Sequence, residues 1–148
     1  DSKDRFNIID FDSNFIPLFD SAMPAIGMNK HAASKFIRRL DADGGTEMLN
    51  PISYALSSED SNSENFLRQI VFITDGQAGN EKAILSKVEY EIGDNRFFTV
   101  GIGSAPNSYL LKKLADFGRG AFTFIGSSQE INQKMNEQLN RFDSATQQ

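Results

Sequence analysis

The chain of 148 residues has no cysteine, no tryptophan, a single histidine and four prolines. Without cysteine there are no disulfides, no zinc–thiolate sites and no cysteine nucleophile, although the compartment stays open. A serine–histidine–aspartate mechanism would have to use His31, and no serine stands in a Gly-x-Ser-x-Gly turn. His31 falls off the apolar face of its helix, where a solvated side chain is expected. Basic surplus is also lacking: 15 Lys and Arg face 20 Asp and Glu, a net charge of −5. That balance gives no reason to expect nucleic acid or an anionic membrane as partner. No apolar run approaches the length of a membrane span, and no signal-like stretch opens the chain. The start, Asp1-Ser2-Lys3-Asp4, lacks an initiator methionine and reads as an excised or processed piece.

What is present is aromatic apolar material, with 13 phenylalanines in a hydrophobic fraction of 39%. A chain of this length and composition fits one soluble globular domain with a core of useful size. Residues 1–142 are taken as that domain, with 143–148 as a polar tail. Arg5 to Phe11 is rich in Phe and Ile and reads as a strand. The turn cluster Asp12-Ser13-Asn14 predicts a hairpin returning over Phe15 to Phe19, with Pro17 confining the return strand to a sheet edge. From Met28 to Leu40 the spacing of Ala33, Phe36, Ile37 and Leu40 predicts an amphipathic helix facing the core. Asp43-Gly44-Gly45-Thr46 breaks it. A short helix follows from about Met48 to Ser57, with Pro51 tolerable in its first turn. Ser57 to Asn65 is polar and low in complexity, a surface loop.

From Gln69 onward strands and helices alternate. QIVFIT (69–74), stopped by Asp75-Gly76, reads as a strand buried on both faces. A helix over about Asn80 to Ile92 carries Leu85, Val88 and Ile92 on one side. RFFTVGI (96–102) is a second buried strand. Leu110, Leu111, Leu114 and Phe117 mark a further helix, with Gly118 expected as its left-handed C-cap. AFTFI (121–125) is a last strand, and Ile131, Met135, Leu139 and Phe142 line a final helix. Alternation with short connections predicts a parallel sheet covered by helices on both faces. In such sheets function collects at the carboxyl ends of the strands.

Three groups at those ends invite chemistry. Asp10-Phe11-Asp12 has the spacing of a phosphatase nucleophile and its acid/base partner. The later strand ends, GSAPN and GSSQE, supply no acidic pair for Mg²⁺, so carboxylates opening a hairpin turn are the favoured reading. Gly101-Ile102-Gly103 lacks the third glycine and the following acidic residue of a dinucleotide site, and reads as a tight strand-to-helix turn. Gly44-Gly45-Thr46 and Thr74-Asp75-Gly76 each set an oxygen donor in a glycine-rich turn, suited to Mg²⁺, Ca²⁺ or Mn²⁺. Two oxygens do not fill an octahedral shell, and on spacing alone a structural cap and turn is favoured.

ADGGTEM (42–48), IVFITDGQAGNE (70–81) and FFTVGIGSAPNSYLLKKLADFGRGAFTFIG (97–126) together resemble a von Willebrand factor A domain. The likeness is to the kind found in inter-alpha-trypsin-inhibitor heavy chains and their bacterial relatives, and DRFNIIDFDS (4–13) resembles that domain's second strand. The resemblance implies a doubly wound, mostly parallel α/β sheet with one antiparallel edge strand. It implies recognition rather than catalysis, through a metal-ion-dependent adhesion site in which Mg²⁺ or a similar ion is completed by an acidic residue of a protein partner. Thr46 matches the family's metal-site threonine and Asp75 its second aspartate, which often acts through water. Surface or extracytoplasmic placement is implied in the same way. The family's Asp-x-Ser-x-Ser loop is absent: Asp10-Phe11-Asp12-Ser13 stands in the wrong place, and Asp12-Ser13-Asn14-Phe15 does not fit it. The site is therefore expected to be partial, and the chain to begin after the family's first strand and first helix. That gap predicts closure of neighbouring strands, pairing with another copy, or a strand supplied from elsewhere.

Overall fold

The computed structural model describes residues 3–40, 47–57, 67–75, 78–103, 108–126 and 137. The chain divides into two compact units, Asp1–Asn62 and Ser63–Gln148.

The first unit opens with four short strands, β1 (Arg5–Phe6), β2 (Ile9–Phe11), β3 (Phe15–Pro17) and β4 (Met23–Pro24). β2 and β3 form the expected antiparallel hairpin, with Asp10 opposite Ile16 and Phe11 opposite Phe15. β1 pairs instead with β4. The strand expected over Arg5 to Phe11 is therefore interrupted, and Asn7 is the cause. Its side-chain oxygen accepts the backbone N–H groups of Ile8 and Phe19, and its amide donates to the Phe19 carbonyl, all at 2.9 Å. One amide side chain thus takes over the pairing where the ladder lapses. Phe6 and Phe19 meet edge to face beside it, centroids 5.7 Å apart.

Two helices follow, α1 (Gly27–Arg38) and α2 (Leu49–Ser57). α1 lies where the periodicity puts it, but its buried face is Asn29 and Ala33. Ile37 and Leu40, expected in the core, are 54% and 40% exposed. The inward stripe is therefore narrower and rotated toward Asn29, whose side-chain amide donates to the Pro24 carbonyl at 2.9 Å. α2 carries Pro51 in its first turn as expected, and buries Pro51, Ile52 and Leu56. Tyr54 holds this helix to the strands: its ring lies 5.2 Å from that of Phe15 and its hydroxyl donates to the Asp20 carbonyl. The loop expected to follow α2 lies outside the described residues, apart from Ser57 at the helix end.

The second unit is a three-stranded parallel sheet in the order β5 (Gln69–Thr74), β6 (Arg96–Ile102), β7 (Arg119–Ile125). Parallel neighbours need crossovers, which α3 (Glu81–Glu91) and α4 (Ser108–Phe117) provide. Thr99 and its register partners Phe72 and Phe122 lie on one face of this sheet. α4 covers that face: the buried Thr99 hydroxyl donates to the Leu111 carbonyl at 2.9 Å, and Leu110, Leu111 and Leu114 are fully buried. α3 packs beside α4 and buries Ile84 and Val88. Ile84 is a core position that the reading of Leu85, Val88 and Ile92 overlooked.

Two expectations for this unit need correction. β5 is not buried on both faces, because Val71 and Ile73 are 38% and 43% exposed. Their register partners on β6, Phe98 and Val100, are buried. Apolar content alone could not distinguish an interior strand from one at the sheet edge. Nor is Gly118 a left-handed cap: the positive φ belongs to Arg119, at 53°. Gly118 answers a different demand, since a Cβ there would lie 2.2 Å from the Cβ of Phe97. Arg119 is held in its conformation by guanidinium bonds to the carbonyls of Gly93 and Asn95, both 2.8 Å. The predicted final helix lies outside the described residues, apart from a single helical residue at Glu137.

Candidate functional site

The carboxyl ends of β5, β6 and β7 bring Thr74-Asp75, Ile102-Gly103 and Ile125-Gly126 to one rim of the parallel sheet. Thr74 is buried at the end of β5 and stands in register with Gly101. The next residue, Asp75, is exposed. A buried strand end therefore delivers a carboxylate straight into solvent. Gly103 turns the chain away from β6 with φ +98°, and its N–H donates to the Ile125 carbonyl at 3.0 Å. An open depression at the start of α3 is lined by Ala78, Gly79, Asn80, Glu81, Lys82 and Ala83.

Thr46 lies outside the described residues. The residue after it is anchored within the first unit: Glu47 donates its N–H to the Asp12 carbonyl at 2.7 Å. The Glu47 carboxylate accepts the Asn50 N–H at the start of α2, a helix-capping role that the sequence reading missed. An acidic residue just ahead of a helix with proline in its first turn is the signal that would have found it.

The carboxylates at the hairpin have turn geometry. Asp10 sits inside β2 opposite Ile16. Asp12 accepts the Asn14 N–H on Oδ1 at 2.8 Å, and its own N–H donates to the Asn14 carbonyl. These bonds make Asp12 a turn former, the reading favoured from its neighbours. His31 is exposed on α1, as its helical position implied. Among the described residues, no three or more His, Cys, Asp or Glu side chains are grouped so as to hold a metal ion. None of the described helices is long and apolar enough to cross a membrane.

Comparison with known proteins gives this rim its context. The family model of the von Willebrand factor type A domain matches residues 1–124. A von Willebrand factor A domain-containing protein of Dictyostelium discoideum is 34% identical over 132 residues, covering 88% of this chain and 14% of its own length. The mouse von Willebrand factor A domain-containing protein 5B1 is 31% identical over 137 residues, covering 92% of this chain and 11% of its own. Among solved structures, a von Willebrand factor type A protein from Catenulispora acidiphila superposes with a TM-score of 0.81 at 19% identity, over 93% of this chain and 33% of that one. BatB from Bacteroides thetaiotaomicron gives 0.65 at 16% identity, over 96% of this chain and 80% of its own. Likeness at such identities concerns the fold, the mixed α/β arrangement with a parallel sheet described above. The chain belongs to the von Willebrand factor type A domain family. It spans about one seventh of the length of the first of these relatives.

Proposed function

We propose that this domain is a non-enzymatic protein-recognition module that takes up a divalent cation at the rim of its parallel sheet and, through it, an acidic group of a partner. The family is generally one of protein-interaction modules, which supports the coarse reading. The observation that carries the finer one is Asp75, an exposed carboxylate directly after the last residue of β5. Thr46, matched by the family motif, is the second donor in this reading. A bound Mg²⁺ or Mn²⁺ would supply a positive centre for a partner carboxylate, and this chain's part is to aim the Asp75 oxygen outward from a buried strand end.

The donor set is incomplete. Mg²⁺ takes about six oxygen ligands in octahedral array, and Asp75 with Thr46 supplies only part of them. Water and donors outside this chain would complete the shell, so weak, millimolar affinity is expected. Calorimetric titration with Mg²⁺ and Mn²⁺ tests the reading. The intact chain should bind, and Asp75→Asn should weaken binding by roughly tenfold or more. Equal affinity in the two proteins, or no heat at millimolar metal, contradicts it.

A further inference from the structure

We draw no further inference here: the strongest candidate, the apolar strand β5 at the end of the parallel sheet, with Val71 and Ile73 partly exposed, carries nothing, because nothing in the structure shows what covers it.

Discussion

At the residue scale, single side chains fix geometry that sequence pattern reports poorly. Asn7 is the clearest. It stands in a run of strand formers, and nothing in that run marks it as the point where β1 gives way to β2. Its role depends on Phe19, twelve residues away, whose backbone N–H and carbonyl it satisfies. Asn7→Ala would leave those half-buried backbone groups without partners. A loss of about 1–3 kcal/mol is expected in urea unfolding, against near-neutral change for the exposed Asn14→Ala. Gly118 teaches the opposite lesson. A glycine after a helix suggested a cap, but the constraint is the approach of Phe97, which leaves no space for a Cβ. Gly118→Ala is therefore expected to cost about 1–3 kcal/mol through overpacking, seen as a lowered melting temperature. A stability equal to wild type would show that the approach of Phe97 places no such demand on Gly118. The position of Asp75 was legible, because a carboxylate ends the apolar run of β5; the metal role proposed for it rests on the family resemblance. Glu47 was readable only as an acid ahead of a helix: its capping of the Asn50 N–H follows from that position, whereas its backbone bond to Asp12 arises only in the folded first unit.

Among elements, helices and parallel strands were readable from periodicity, and their faces less so. α1 and β5 occur where the pattern puts them, yet each leaves exposed some apolar residues assigned to the core. The reason is shared: hydrophobic spacing shows which residues can be buried, while burial depends on which neighbouring elements lie against them. On β6 the neighbours are present on both sides, and Phe98 and Val100 are buried. On β5 only β6 pairs among the described residues, and Val71 and Ile73 stay exposed in the same register rows. Phe98→Ala should therefore cost about 3–5 kcal/mol. Ile73→Ser should stay within about 1 kcal/mol, as an exposed substitution. Comparable losses in chemical denaturation would show that the outer face of β5 is covered in solution.

For the whole molecule, fold class and family were within reach of the sequence, because alternating strands and helices and the TDGQAGNE and GIGSAPN runs are local. The candidate site is harder to read. Asp75 closes an apolar run, whereas Thr46 lies outside the described residues, so its part in the proposal rests on the family motif alone. The proposed metal function therefore rests chiefly on Asp75 and its rim. The most direct measurement is the broadening of backbone amide signals in an isotope-labelled chain as paramagnetic Mn²⁺ is added. The account predicts that Thr74, Asp75 and Ala78 broaden first, and that the effect is lost in Asp75→Asn. Broadening that begins at Asp10 and Asp12 instead, or that spreads evenly over exposed carboxylates, would contradict it.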